Sequence, residues 1–494
     1  MHSNVQRPPA RTLRLAARAL ALGLLALGAV GCATNPVTGH RELSLVSSNQ
    51  ELQLGRQGYP AVVREYGSYG DAALAAYVDS VGQRVARASH LPNLEWHFTV
   101  LDDPTVNAFA MPGGYIYITR GILAHLNSEA QLAGVLGHEI GHVTHRHTAE
   151  QMTQQQLVGL GYTALQIAAP QLQQYDAVAQ QALGLMFLRY SREHETEADE
   201  LGVSYATLAG YDPHEIPPTY AMLKRVSQAA GSNIPAFMST HPDPGDREAR
   251  TTQLAAQASA GKTGLRIAQR DYLKHLEGVV YGRDPREGYF EGARYFQPTL
   301  DFQLDFPAGW KQQDSRSAVM SAEPSQRGMV QLTLAQGGDA TPSAFAQSLL
   351  GSGQALTVQG ASERIGGYEG WVGRLTVNSQ SGPTRLDAAF IRVSPQTMYQ
   401  FLGESAVPGD AVDDAIFRTM RSFRAIEDRS RLNAAPPRVH LASVPSAGLL
   451  RSVLAALGPS GITPEETAVV NNLDLDESLL AGKTLKLVRP GTPK

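Results

Sequence analysis

A single cysteine, Cys32, occurs in the 494 residues, so no intramolecular disulfide can form and stability has to come from packing. Positive charge is scarce too. The formal net charge is −4, and four arginines, Arg7, Arg11, Arg14 and Arg18, crowd into the N-terminal stretch. Setting those four aside leaves about −8 for the rest, which gives a nucleic-acid partner no electrostatic support. The apolar run ALALGLLALGAV, 19–30, is too short to span a bilayer. No fixed repeat period runs through the chain, which argues against a solenoid. What remains is 43% hydrophobic and 18% charged, the composition of a folded chain with room for two to four domains.

The basic stretch, the apolar run and Gly31-Cys32 stand in the order of a secretory signal over 1–31. AVGC resembles a bacterial lipobox, with Ala29 where leucine is commoner, and Ala33 resembles the sorting position of outer-membrane lipoproteins. That resemblance implies a periplasmic protein held on the inner leaflet of the outer membrane by acyl chains on Cys32, at about 0.8 kcal/mol per buried methylene. The alternative is ordinary signal cleavage with Cys32 incidental.

Apolar spacing predicts helices across 44–90, a strand over 94–103 and, around Pro112-Gly113-Gly114, a hairpin or a strand running into a helix over 107–123. A helix capped by Ser128 is expected over 128–147, then a helical tract over 149–209 broken near Pro170, and a helix over 217–229. ATLAGYDPHEIP and STHPDPGD read as loops. The tract is an α+β domain, mainly helical with a small sheet, placed at 32–270. Runs such as GMVQLTLAQ and LDAAFIRVS mark a β-rich α+β domain at 287–425, followed by a linker at 426–438 and a small module at 439–490.

The chemistry concentrates in GHEIGHVTHRH, 137–147. Residues four apart share a helix face, so His138 and His142 can aim both imidazoles at one ion, while Glu139 reaches a water beside it. A catalytic zinc needs a third protein ligand. SREHETEADELG, 191–202, offers one: Glu195 and Asp199 share a face, so Glu195 could bind metal while Asp199 orients a ligand histidine or moves protons. An acidic helix is more often a solvated face, and only the first motif gives this one meaning.

GHEIGH followed by SRxxExEAD resembles the HExxH zinc metallopeptidases of the gluzincin group, which include the CAAX prenyl proteases and the BepA-type periplasmic peptidases. NPVTGHRELSLVS and NAFAMPGGYIYITRGIL are similar to stretches of bacterial lipoproteins in that group, and the likeness covers about 32–260. It implies a zincin-like domain with one zinc per chain on His138, His142 and Glu195, Glu139 as general base, and Asp199 at a position usually read as a proton donor. It also implies that Ala108, Phe109, Ala110 and Met111 lie on an edge strand that receives an extended peptide. The reaction would be hydrolysis of peptide bonds, with misfolded or misassembled envelope proteins as substrates.

His145, His147 and His194 read as polar surface or as support behind the ligands. His241, in THPDPGDR, resembles a loop histidine of related periplasmic peptidases. It is either a turn residue or a fourth zinc ligand that gates the site, and both readings stay open. No catalytic constellation is found in 287–425. NNLDLDESLLAGKTLKL resembles a degenerate LysM module without its usual glycine-aspartate start, which would add peptidoglycan as a partner. Two rival readings remain: a wall-binding or chaperone-like scaffold with a vestigial zinc site, and a zinc amidase acting on peptidoglycan.

Overall fold

The computed structural model describes residues 32–158, 184–185, 189–229, 236–241, 244–335, 337–379, 382–407 and 409–491. The expected signal at 1–31 and the expected helix break near Pro170 lie outside them. The chain divides into two compact units, one holding the described residues up to Val279 together with Val439–Arg489, the other Val280–Arg438 with the last residues.

The first unit opens with a hairpin, β1 (Cys32–Thr34) and β2 (Arg41–Leu43). Its turn is built by Asn35, whose side-chain oxygen accepts from the amides of Val37 and Thr38. Helix α1 (Ser48–Tyr66) starts in a capping box between Ser47 and Gln50, and α2 (Ala72–Arg87) is capped by Asp71. A three-stranded sheet follows, of β3 (His97–Leu101), β4 (Ala108–Met111) and β5 (Tyr115–Thr119), in the order β3-β5-β4. Strand β5 runs parallel to β3 and antiparallel to β4, which leaves β4 at the edge.

Both alternatives for 107–123 are realised. Gly113 and Gly114 take positive φ to close the hairpin, and β5 then runs directly into α3 (Arg120–His125) through a Thr119 cap. Helix α4 (Glu129–Thr144) is capped by Ser128 as its sequence predicts, but it ends before His147. Arg146 adopts φ 64, a left-handed conformation that turns the chain and starts a separate helix, α5 (His147–Val158). Arg146 is tied down by bonds to the Glu51 carboxylate and the Val46 carbonyl.

Helices α6 (Arg192–Leu208), α7 (Pro217–Ala229), α8 (Ala236–Thr240), α9 (Pro244–Ser259) and α10 (Gln269–Leu276) complete the helical part. Of the loop expected at STHPDPGD, α8 takes in Ser239 and Thr240, and Pro244 begins α9, where a missing amide proton costs nothing. Among the described residues no helix is long and apolar enough to cross a membrane.

The second unit contains a small sheet of β6 (Tyr289–Glu291), β7 (Arg294–Gln297) and β8 (Phe302–Asp305). Beside it stands a seven-stranded antiparallel sheet of β9 (Lys311–Asp314), β10 (Ala318–Ala322), β11 (Gly328–Ala335), β12 (Thr357–Ile365), β13 (Tyr368–Ser379), β14 (Gly382–Ser394) and β15 (Thr397–Ser405), ordered β12-β13-β14-β15-β11-β10-β9. Both faces are covered. Ala389 and Ile391 pack with Val412 and Ile416 of α12 (Ala411–Arg421), while Ala388 and Phe390 pack with Ala346 of α11 (Pro342–Gly351). That two-sided burial explains why LDAAFIRVS reads as one apolar run rather than an alternation. The stretch 426–438, expected to be a linker, is held in this unit: the Arg431 guanidinium lies 4.1 Å over the Phe296 ring and pairs with Glu291.

The C-terminal residues form β16 (Arg438–Ser443), β17 (Gly448–Leu449), α13 (Leu450–Leu457), α14 (Pro464–Asn471), β18 (Ser478–Leu479) and β19 (Thr484–Arg489), with β16 paired to β19. They pack within the first unit. The Lys486 amine, on a side chain 1% exposed, donates to the carbonyls of Ala124 and Leu126 at the end of α3.

Candidate metal centre

Three glycines bring the two motif helices together. A Cβ on Gly202 would stand 2.9 Å from the His138 nitrogen, one on Gly141 3.2 Å from the Ala198 Cα, and one on Gly137 3.0 Å from the Gly202 carbonyl oxygen. Backbone therefore meets backbone between α4 and α6. Glu195 and Asp199, a turn apart on α6, thus arrive beside His138 and His142, a turn apart on α4.

All four side chains are buried, as are Glu139 and His241, both 0% exposed. His138 Nε2 and His142 Nε2 face each other at 3.0 Å. Each lies 3.6 Å from a carboxylate oxygen of Glu195. His241 Nδ1 closes the group, 2.8 Å from Glu195 Oε1 and 3.5 Å from His138 Nε2. A tetrahedron with zinc–nitrogen bonds of about 2.0–2.1 Å has edges of about 3.3–3.4 Å, close to the middle of these separations. The buried Glu139 oxygens and His241 Nε2 have no hydrogen-bond partner within the protein. Buried polar atoms are rarely left so. The donor set and these unpartnered atoms together fit a divalent metal.

Electrostatics sort the carboxylates. Burial raises the Glu139 carboxyl above its usual range. Burial pushes Glu195 the same way, but His241 and Arg247 prevail and hold it at about 2. Asp199 lies far lower still, because Arg247 and the bond from His138 outweigh its desolvation. It accepts from the Tyr220 hydroxyl at 2.6 Å, from Arg247 and from Arg250, and stands 3.1 Å from His138 Nδ1. A carboxylate so surrounded holds no proton to give away.

Arg247, Tyr220 and Tyr190 escaped the sequence reading. Arg247 is 2% exposed, its guanidinium 4.6 Å over the Tyr220 ring, and its Nη1 lies 2.6 Å from Glu195. It ends the THPDPGDR stretch, yet nothing in a run of surface-type residues signals a buried arginine. Tyr190 stacks on His142 at 3.9 Å between centroids.

Of the two readings of His145, His147 and His194, surface or support behind the ligands, burial removes the first: they are 9%, 0% and 5% exposed. The left-handed turn at Arg146 folds His147 back so that its Nδ1 lies 2.8 Å from His142 Nδ1. Burial pushes His147 down to about 4. His194 stacks on His147 and bonds to Glu150. Ala108–Met111 form an edge strand that packs beside α4.

A buried His-His-Glu-His group that could hold a metal ion thus stands beside a glutamate without a hydrogen-bond partner. Residues 72–255 match the model of Peptidase family M48. Among curated proteins, the chain is 35% identical over 204 residues to mitochondrial metalloendopeptidase OMA1 of Arabidopsis thaliana, covering 41% of this chain and 38% of that protein. It is 32% identical over 213 residues to the Schizosaccharomyces pombe protein of the same name, covering 42% of this chain and 61% of the other. It is 30% identical over 235 residues to the beta-barrel assembly-enhancing protease of Escherichia coli (strain K12), covering 45% and 47%. The chain thus spans between about two fifths and three fifths of the length of these relatives. Among solved structures it is similar to PsbP of Synechocystis sp. PCC 6803, at 12% identity and a TM-score of 0.22, too slight a likeness to carry an argument.

Proposed function

We propose that this protein is a zinc-dependent endopeptidase of the bacterial envelope, with His138, His142 and Glu195 holding one zinc. The observation that carries the reading is the convergence of these donors and His241, all within 4.8 Å of one another, beside a buried Glu139 whose oxygens lack partners. When bound, zinc supplies Lewis acidity toward the scissile carbonyl and activates water. Glu139, its carboxyl raised by burial, takes a proton from the attacking water and returns it to the leaving amine. Asp199 fixes His138 by accepting from its Nδ1, and its saturated surroundings favour that role over proton delivery. Ala108–Met111 would pair with an extended substrate strand, which suits peptides over glycans.

His241 is the fourth donor, and as such it would occupy the position a substrate needs; it acts as a gate. Relatives named for beta-barrel assembly support outer-membrane proteins as substrates, and the lipobox-like AVGC supports Cys32 as the lipid anchor. The two helices of 438–489, flanked by the paired strands β16 and β19 and the shorter pair β17 and β18, support a LysM-like reading of the C-terminus, with peptidoglycan as its partner.

The test is casein hydrolysis by the full chain beside Glu139→Gln and His241→Ala. The expected outcome is one zinc per chain in all three, loss of cleavage in Glu139→Gln by at least about 100-fold, and a gain in His241→Ala. Zinc bound without cleavage in either the parent or His241→Ala would instead favour a scaffold.

A further inference from the structure

Behind His142 stands a second cluster, His145, His147 and Glu197, whose ligand-type atoms also lie within 4.8 Å of one another. Its composition suggests another metal site, and the positions of the protons argue otherwise. His142 turns Nε2 toward His138 and Glu195, so as a neutral ligand it carries its proton on Nδ1. That Nδ1 lies 2.8 Å from His147 Nδ1, and two such nitrogens share one proton. His142 therefore donates, His147 accepts, and the proton of His147 sits on its Nε2, 3.1 Å from Glu197 Oε2.

The same reasoning fixes His145. Its Nδ1 is 3.2 Å from the side-chain amide of Asn35, which can only donate, so its proton also lies on Nε2, 3.7 Å from Glu197 Oε1. An ion among these three residues would need the His147 Nε2 lone pair. It would move the His147 proton to Nδ1, directly against that of His142. Metal in the second cluster and metal on His142 oppose each other.

We propose that Glu197 and His147 are positioning residues that hold His142 in its metal-binding tautomer, a line of hydrogen bonds from Glu197 through His147 to His142. It rests on the reading of His142 as a zinc ligand. Glu197 shares α6 with Glu195, so one helix supplies both a ligand and the charge that anchors another ligand. His147 is fully buried and clamped against His194, with 4.4 Å between ring centroids. Glu197 is 41% exposed on its side chain and lines an open cavity of about 570 Å³ with Glu42, His145, Glu150, Glu193 and His194. Its charge is thus kept by water while its hydrogen bond reaches a site sealed from water. Asn35 closes the far side: its amide spans His145 and Glu42, which gives the NPVTG stretch a task at the metal centre.

Partners of this kind typically change metal affinity by about 10–100-fold. The experiment uses the full chain and measures zinc affinity against a competing chelator, the visible bands of the cobalt(II) form, and melting of the metal-free protein. Glu197→Gln removes the charge at a half-exposed position, and His147→Phe keeps the ring stack without the nitrogens. We expect zinc to bind about 10–100-fold more weakly in both, with shifted cobalt bands, while metal-free melting of Glu197→Gln stays at the parent value. Affinities within twofold of the parent and unshifted bands would overturn the proposal and leave the zinc site standing. Two metal equivalents in the parent and one in Glu197→Gln would make the cluster a second metal site and overturn it too. A parent that binds no metal would remove the catalytic reading along with this one.

Discussion

Arg247 neutralises two buried carboxylates at once, Glu195 and Asp199, and is itself enclosed by Tyr220 and Phe237. Removing it leaves buried charge uncompensated. Arg247→Met is expected to destabilise the metal-free protein by about 3–5 kcal/mol in a urea titration. A smaller loss on adding zinc would follow from the metal replacing part of the positive charge. In the second unit, burial lifts the Asp314 carboxyl to about 6, against attraction by Arg283 and with added repulsion from Glu287. A carboxyl raised above its unfolded value contributes stability that is complete below about 4 and lost as pH climbs through about 6, worth up to about 3 kcal/mol. Asp314 should therefore make unfolding of the second unit easier between pH 4 and pH 6, by up to roughly that amount, and Asp314→Asn should reduce the slope, while Asp387, also raised by burial and by Asp413, keeps a part of it. The candidate ligands and acids on α4 and α6 were legible because a helix fixes which spacings share a face. Arg247 and Tyr220 were not, since their burial depends on where α7 and α9 dock.

At the level of elements, the contact between α4 and α6 decides the site. Gly202 has no space for a side chain, with His138 nitrogen 2.9 Å from the place a Cβ would take. Gly202→Ala should cost about 1–3 kcal/mol and weaken zinc binding, because separating the helices moves Glu195 away from both histidines. Normal zinc affinity with unchanged melting would contradict that account. The start of α4 was readable from Ser128, whose side chain caps as such residues do, whereas the start of α6 at Ser191 falls inside a tract expected to be helical from 149 to 209 apart from a break near Pro170. The end of α4 was not, because Arg146 in a left-handed conformation carries no signature that glycine would have given. That one turn moves His147 from an outer helix position to the back of His142.

For the whole molecule, two textures were visible in the sequence, helical first and β-rich second. The return of the C-terminal residues to the first unit was not, since it depends on single long-range contacts. Lys486 reaches the end of α3, and Asp474 pairs with Arg225 of α7. Burial pushes the Lys486 amine well below the usual lysine range. Lys486→Ala would strip two buried carbonyls of their donor, an expected loss of about 2–4 kcal/mol in equilibrium unfolding of the first unit. No change would mean that the C-terminal residues sit there without stabilising it.

The central claim is that one ion is held where α4 meets α6, and anomalous diffraction at the zinc edge from crystals of the full chain tests it most directly. The account predicts a single peak surrounded by His138, His142 and Glu195, with nothing between His145, His147 and Glu197. No peak at the first position, or a peak at the second alone, would contradict it.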